Sequence, residues 1–508
     1  MKKEKSKVGI GAAILLISGV VCKALGALFR LPLTNLLGIE GIGVFQLVMS
    51  LYAFALVLTS GGVTNALSKL ISSARARGEM GKVGVYLRRA LFVSIGSGFL
   101  IGVFFLIFGK FIAAFQGIDA TFSYMLFLLL LPLGAGLACF RGFFQGYENM
   151  VPTAVSQIIE QIFKFVLGLL LAYFFSRFGM AEGVFGAFLG IVCSELVSLI
   201  FLFALFFRRS GDLKRMKDLQ GLRKTRAEFN SANFPLLLSA SILPLTGAFD
   251  GLVIVPRLMM AGFDSSAATS LYGLQTGIVG AILNFPLIIS MAVTTTLLPS
   301  ISYRVSRGSG GKVVIERALL TLFFLILPTT FGMIAISRPV LLLFYKNMTS
   351  SMLDVAFNLM LFGGFSIVFT ALMQFLVMLL QANGQFKFIL AITALGGVAK
   401  AILSFFLSAV PSVNIFALVL GNIVLAAIVC VLALWRLKKI SAFSLRFADL
   451  FIVMLSALLM FLAVYSFCRG NRFSVVVNLL ISICIGGAVY LVLSVPVWKT
   501  LLTHRLDD

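Results

Sequence analysis

Apolar stretches of about 20 residues recur along the whole chain and are separated by short polar gaps. A helix of about 20 apolar residues spans roughly 30 Å of hydrocarbon, so each stretch is long enough to cross a bilayer. The pattern predicts an all-α polytopic membrane protein with about fourteen transmembrane helices. The predicted spans are 8–37, 42–72, 84–113, 120–146, 152–177, 182–208, 232–261, 267–304, 314–345, 352–382, 386–410, 412–437, 445–468 and 474–499.

The composition supports a lipid environment. Of 508 residues, 60% are hydrophobic and only 12% are charged, whereas a soluble domain carries about 25% charged residues. The net charge of +23 does not indicate a nucleic-acid partner, because the lysines and arginines lie mainly in the gaps between apolar segments. If fourteen helices alternate, the strongly basic gaps all fall on one side, which predicts that both termini are cytoplasmic.

The longest polar gap divides the chain into two related parts. We predict an N-lobe of six helices at 1–210, a basic cytoplasmic linker at 211–231, a C-lobe of six helices at 232–440, and a helix pair with the C-terminal tail at 441–508. Lys23 and Arg30 are seven residues apart, as are Asp250 and Arg257. Such spacings suggest parallel six-helix repeats with a central cavity between the two halves.

Ionisable side chains within the spans are the candidate functional residues, because each is costly at mid-bilayer and normally faces a partner or a wet cavity. Five are basic and three are acidic, and the positive surplus predicts an anionic substrate. These candidates are Lys23, Arg30, Arg257 and Lys400 for substrate binding, and Asp250, Glu195, Glu160 and Lys164 for ion coupling or charge pairing.

Several of these residues have two interpretations. Lys23 and Arg30 form a basic stripe facing the cavity, or Lys23 pairs with Asp250 while Arg30 reaches the headgroups. Pro32 is expected to kink this helix. Arg257 contacts the anion or anchors at the interface, and Asp250 is an ion-coupling acid or the partner of Lys23.

The remaining candidates lie on other helices. Glu160 and Lys164, spaced i, i+4 with the acid first, are expected to form an ion pair within their helix. Lys400 has no acid in its helix and needs Glu195, Asp250 or the substrate as a counter-charge. Arg141, near the predicted cytoplasmic end of its helix, is expected to be an anchor.

Enzyme chemistry and metal binding are not expected. The single histidine, His504, lies in the C-terminal tail, and the six cysteines contain no CxxC pair. No catalytic residue, metal or cofactor is therefore predicted. Transport is expected to draw on the membrane potential, Na⁺ or H⁺.

Two strings resemble a known family. LFRLPLTNLLGIEGIGVFQLVMSLYAF (28–54) and RGFFQGYENMVPTAVSQIIEQ (141–161) resemble the stage V sporulation protein B and polysaccharide-biosynthesis flippases, which are related to MurJ-type lipid II flippases and MATE exporters. The string FPLIISMAVTTTLLPSIS (285–302) is similar to helix eight of MurJ-type proteins.

The resemblance implies a MATE-like fold of two six-helix lobes plus an extra C-terminal helix pair, in a bacterial cytoplasmic membrane. It implies a flippase that moves an undecaprenyl-pyrophosphate-linked saccharide, lipid II-like or a polysaccharide precursor, from the inner to the outer leaflet. In the MurJ-type branch, arginines of helices one, two and eight line the cavity. Arg30, and Lys23 as a lysine replacement, match those of helix one, whereas helices two and eight lack a central arginine here and the resemblance implies Arg257 and Lys400 in their place. The expected partners are this lipid-linked oligosaccharide and membrane lipids, and the protein is expected to be a monomer.

Two other functions remain open from the residues. A MATE-type exporter of cationic drugs would need a net acidic cavity, in which Asp250 and Glu195 would bind the cation. A membrane-embedded transferase would need a catalytic constellation, which the short loops and the absence of a buried histidine disfavour.

Overall fold

The computed structural model describes residues 2–208, 222–291, 311–345, 348–440, 447–470 and 474–498. Within these ranges the regular elements are all helical, as the apolar runs predict. In the N-terminal part the helices are α1 (Lys2–Ser60), α2 (Val63–Ala76), α3 (Met80–Gln116), α4 (Thr121–Met125), α5 (Phe127–Gly146), α6 (Val151–Ser176), α7 (Met180–Arg208), α8 (Leu222–Met260) and α9 (Ser265–Gly273).

The C-terminal part continues from α9 through a π-turn at Leu274–Val279. Its helices are α10 (280–291), α11 (Gly311–Ala335), α12 (Ser337–Phe344), α13 (Ser350–Ala382), α14 (Phe386–Leu407), α15 (Phe416–Ile440), α16 (Phe447–Arg469) and α17 (Val475–Leu493).

Thirteen spans within the described ranges are long and apolar enough to cross a membrane. The first of them, Ile17–Ala76, has 60 residues. At 1.5 Å per residue it is about 90 Å long, enough to cross a bilayer twice. The prediction of a polytopic helical membrane protein is confirmed, and the count of fourteen is close to the observed thirteen.

The break in α1 lies at Gly38, not at Pro32. Gly38 is the residue of this helix with non-helical backbone angles, φ 76° and ψ 177°. A positive φ suits glycine, which has no Cβ to clash with the backbone. Pro32 lies inside the helix, and the break at Gly38 falls in the gap 38–41 between the first two predicted spans.

The chain forms two compact units, Met1–Gly273 and Leu274–Asp508. Helices α8 and α9 pack against α1, and α8 also packs against α2 and α3. Helix α8 begins at Leu222, inside the segment 211–231 that we predicted as a linker. The division into an N-lobe and a C-lobe remains a prediction.

Within the C-terminal unit, α16 packs against α11 and α17. An apolar groove of about 490 Å³ lies among these helices and α10, with Phe285, Pro328, Met460, Gly486 and Tyr490 among its lining residues. Tyr490 donates its hydroxyl to the carbonyl oxygen of Phe324 at 2.7 Å, which fastens α17 to α11.

Candidate functional site

Polar side chains share one face on each of two neighbouring helices of the N-terminal unit. On α6, Ser156, Glu160 and Lys164 are spaced four residues apart, which places them on one side of the helix. On α7, Glu195 and Ser198 are three residues apart and are also neighbours on the helix surface. Helices α6 and α7 pack against each other, and both also contact α1 and α5. The four helices therefore bring a set of polar groups together.

Arg141 of α5 reaches across to α6. Its Nη2 donates a hydrogen bond to Glu160 Oε2 at 2.6 Å, and its Nε donates one to Ser156 Oγ at 3.0 Å. The same Nη2 lies 3.5 Å from Ser198 Oγ on α7. The two ionic side chains are only 16% and 21% exposed. The prediction that Arg141 is an interfacial anchor is therefore wrong.

The predicted ion pair between Glu160 and Lys164 is wrong as well, because Glu160 pairs with Arg141 instead. The Lys164 ammonium lies 5.6 Å from the centre of the Phe29 ring, within the range of a cation–π contact. Lys164 also interacts electrostatically with Glu160, Arg30 and Glu195. Among the described residues, Lys164 has no carboxylate within ion-pair distance.

Glu195 is buried, with 4% of its surface exposed, and so is Tyr52 of α1. The Tyr52 hydroxyl donates a hydrogen bond to Glu195 Oε1. Glu195 Oε2 is buried and has no hydrogen-bond partner among the described residues. A Cβ atom placed on Gly134 of α5 would overlap Leu56 Cδ1 at 2.5 Å and would lie in ordinary van der Waals contact with the two carboxyl oxygens, at 3.6 Å and 3.7 Å, so the carboxyl group lies close to the backbone of α5.

We call these residues the N-terminal charge cluster: Arg30, Tyr52, Arg141, Glu160, Lys164 and Glu195. The cluster contains three cations and two carboxyl groups, so it has a positive surplus even when both carboxyls are ionised. Such a group can attract an anion. Among the described residues, no group of three or more His, Cys, Asp or Glu side chains could hold a metal ion.

The other predicted residues lie elsewhere. Lys23 is exposed on α1. Asp250 of α8 is buried and interacts electrostatically with Tyr272 of α9. Arg257 of α8 has its Nη1 3.2 Å from Met260 Sδ. Lys400 is buried in the C-terminal unit. Their roles in substrate binding or coupling remain predictions.

Sequence reasoning missed two members of the cluster, Tyr52 and Arg141. The four-residue spacing of Ser156 and Glu160 and the three-residue spacing of Glu195 and Ser198 already indicated polar faces on their helices. A polar face inside an apolar helix needs a partner from another helix, and Arg141 was available to provide it.

Comparison with known proteins identifies the family. Residues 8–304, more than half of the chain, match the family model of polysaccharide biosynthesis proteins. The chain belongs to this family. It is 30% identical over 297 residues to stage V sporulation protein B of Bacillus subtilis strain 168, an alignment that covers 58% of this chain and 57% of that protein. The aligned part is thus less than two thirds of that relative.

A second relative is the lipid II flippase MurJ of Bacillus subtilis strain 168. It is 23% identical over 441 residues, covering 78% of this chain and 77% of that protein. This relative is named as a flippase and not as an enzyme, in agreement with the prediction that the chain is not an enzyme.

Solved structures confirm the fold. A lipid II flippase MurJ in an inward closed conformation superposes with a TM-score of 0.73 at 16% identity, covering 96% of this chain and 99% of that chain. An inward-facing MATE-family multidrug transporter of the MOP superfamily has a TM-score of 0.66 at 15% identity, covering 83% and 96%. The predicted MATE-like architecture is therefore correct.

Proposed function

We propose that this protein is a flippase for an anionic, undecaprenyl-pyrophosphate-linked saccharide, which it moves from the inner to the outer leaflet by alternating access. The observation that carries the proposal is the positive surplus of the N-terminal charge cluster. Arg141 is neutralised by Glu160, whereas Lys164 has no carboxylate within ion-pair distance among the described residues. A pyrophosphate group would provide the missing negative charge.

The chemistry of the cluster suits such a group. Arginine presents a planar fork of donors to phosphate oxygens, and lysine acts as a point charge. The lipid tail would remain in the hydrocarbon of the membrane, so only the charged headgroup must enter the protein. The sequence similarity to a lipid II flippase and to a stage V sporulation protein B supports a substrate of this class.

The proposed location is the bacterial cytoplasmic membrane, with both termini in the cytoplasm. The basic gaps of the sequence support this orientation. Outward movement of a negative charge would also run with an inside-negative membrane potential, which supplies about 2.3 kcal/mol per charge per 100 mV.

Depletion of the protein, followed by mass spectrometry of undecaprenyl-linked intermediates, tests the function. We expect one intermediate to accumulate, and we expect it to be inaccessible to a membrane-impermeant enzyme added from outside. If no undecaprenyl-linked intermediate accumulates, or if it accumulates in the outer leaflet, the proposal is wrong.

The second candidate is an ion-coupled exporter of organic cations, which the buried acid Glu195 and the MATE-like fold favour. Equilibrium binding of a fluorescent organic cation to the purified protein distinguishes the two functions. If the protein is an exporter, the wild type should bind the cation and the Glu195→Gln variant should not. If it is a flippase with a positive cluster, neither protein should bind the cation.

A further inference from the structure

Only one of the two oxygens of the buried Glu195 carboxyl group has a hydrogen-bond donor among the described residues. Tyr52, a neutral donor, contacts Oε1, while Oε2 is buried without a partner among the described residues. We propose that Glu195 is a proton-binding site, and that Arg141 is the cation that neutralises its carboxylate after the proton leaves. This proposal goes beyond the flippase function, because it does not depend on the identity of the substrate.

The contacts of Glu195 match a protonated carboxyl group. Burying an ionised carboxylate costs far more than burying a neutral group unless a cation compensates it. The guanidinium of Arg141 is held by Glu160 and Ser156. The ammonium of Lys164 lies over the Phe29 ring. With both cations engaged elsewhere, the neutral acid is the form that this conformation accommodates.

Arg141 is positioned to change partners. Its Nη2 atom lies 3.5 Å from Ser198 Oγ, and Ser198 is one helical turn from Glu195 on the same face of α7. A small rotation of the guanidinium toward α7 would bring it onto the Glu195 carboxylate. Arginine has five N–H donors, so it can keep a hydrogen bond to α6 while it pairs with α7.

Among the described residues, the charged and titratable side chains that act on Glu195 come from three neighbouring helices. They are Tyr52 on α1, Arg141 on α5, and Glu160 and Lys164 on α6. Helix α4 also packs against α7, but its sequence TFSYM contains no charged residue. When the proton passes from Glu195 to water, the cluster loses one unit of positive charge, and Arg141 divides its interaction between two carboxylates.

Infrared difference spectroscopy of the full chain in lipid nanodiscs tests the proposal without any substrate. Spectra between acidic and alkaline buffer should contain a C=O band of a protonated carboxylic acid that disappears as the pH rises. The band should be absent in Glu195→Gln and present in the matched control Glu182→Gln, which changes another acid of the same helix. A band that persists in Glu195→Gln would overturn the proposal.

The Tyr52→Phe variant tests whether the C=O band belongs to Glu195 without replacing Glu195 itself. Loss of the hydroxyl donor should shift the frequency of the same band, because the carbonyl oxygen loses its hydrogen bond. An unchanged frequency would mean that the titrating acid is not the group bonded to Tyr52, which contradicts the proposal.

Glu160→Gln tests the role of Arg141. This change removes the carboxylate that holds the guanidinium, so Arg141 becomes available to Glu195 and the band should disappear at a lower pH than in the wild type. A titration curve identical to that of the wild type would show that Arg141 does not compensate Glu195. Replacement of K⁺ by Na⁺ at constant pH should leave the band unchanged, and its loss would show that the site binds sodium instead of a proton.

Discussion

Arg141 and Glu160 lie between α5 and α6, and each is the ionic partner of the other. Removal of Arg141 from this partly buried pair leaves the Glu160 carboxylate without its cation in a medium that solvates charge poorly. The stability of the N-terminal unit should therefore depend on both residues together more than on either one.

We expect Arg141→Met to destabilise the protein by about 3–5 kcal/mol, because Glu160 loses its cation, and Glu160→Met to cost less, because Arg141 can then pair with Glu195. The double variant should regain most of the larger loss, since neither member of the pair is left without the other. Thermal unfolding in detergent, followed by fluorescence-detected size exclusion, measures the effect. Arg88→Met, at an exposed position of α3, is the control. Additive losses in the double variant would contradict a coupled pair.

Arg30 should matter for transport more than for folding. It is partly exposed on α1 and interacts electrostatically with Lys164. Arg30→Ala should abolish complementation of a depleted strain at normal protein levels, while Arg88→Ala should complement fully. Full activity of Arg30→Ala would remove this residue from the proposed site.

The sequence showed which ionisable residues lie within the apolar spans, but it did not show how these residues pair. The i, i+4 rule describes neighbours on one helix, and it favoured Glu160 with Lys164. The observed partner, Arg141, is 19 residues away on another helix. The packing of the helices determines which residues pair, and one amino-acid sequence does not show directly which helices are in contact.

At the scale of elements, the apolar runs predicted most helices well, because length and hydrophobicity decide membrane insertion. The run 152–177 corresponds to α6 at Val151–Ser176, and 352–382 corresponds to α13 at Ser350–Ala382. The break in α1 also falls in the predicted gap 38–41, while Pro32 stays inside the helix, because a transmembrane helix can accommodate proline where neighbouring groups satisfy the carbonyl that it frees. Gly38 provides the positive φ that the break requires.

The contact between α6 and α7 depends on small residues. A Cβ atom on Gly190 would overlap the backbone of Gly168, so the two helices touch at this point. Gly190→Leu should separate them and strongly lower both thermal stability and the yield of folded protein. Gly96→Leu is the control, since a Cβ there has no neighbour within 4 Å. Equal stability of the two variants would disprove the close packing.

Pro328 explains the hydrogen bond between α11 and α17. Proline has no N–H, so the carbonyl four residues earlier, that of Phe324, loses its helical partner, and Tyr490 supplies the replacement. Tyr490→Phe should destabilise the C-terminal unit by about 1–2 kcal/mol.

Tyr465→Phe is the matched control for that prediction. Its ring stacks on Phe461, and the substitution retains the ring. Thermal unfolding of both variants in the same detergent makes the comparison, and a loss in Tyr465→Phe as large as that in Tyr490→Phe would argue against the role of the carbonyl.

At the scale of the whole molecule, the sequence identified a helical membrane protein and its family resemblance, both of which are confirmed. The predicted boundary between lobes is a different matter. Residues 209–221 lie outside the described ranges, and α8 and α9 form one compact unit with α1–α7. Hydrophobic runs define where helices are, but they do not define which helices move together.

The direction of transport should respond to voltage. In proteoliposomes with an inside-negative potential set by potassium and valinomycin, an anionic lipid substrate should accumulate in the outer leaflet faster than without the potential, because each charge gains about 2.3 kcal/mol per 100 mV. Leaflet distribution, read by an impermeant quencher, measures this. The Arg30→Ala variant is the inactive control. A rate independent of voltage would mean that no net charge crosses the membrane.

The π-turn at Leu274–Val279 determines how α10 is rotated about its own axis, and therefore which of its side chains face the groove. A wide turn of this kind holds one residue more than an α-helical turn, and each residue of an α-helix advances about 100° around the axis. Deletion of a single residue from the turn would restore a regular ladder but rotate α10 about its own axis by that angle, relative to the helices α11, α16 and α17 that form the rest of the groove. Phe285 and Ile289 would then leave the wall of the groove, so a one-residue irregularity determines which side chains of α10 line it.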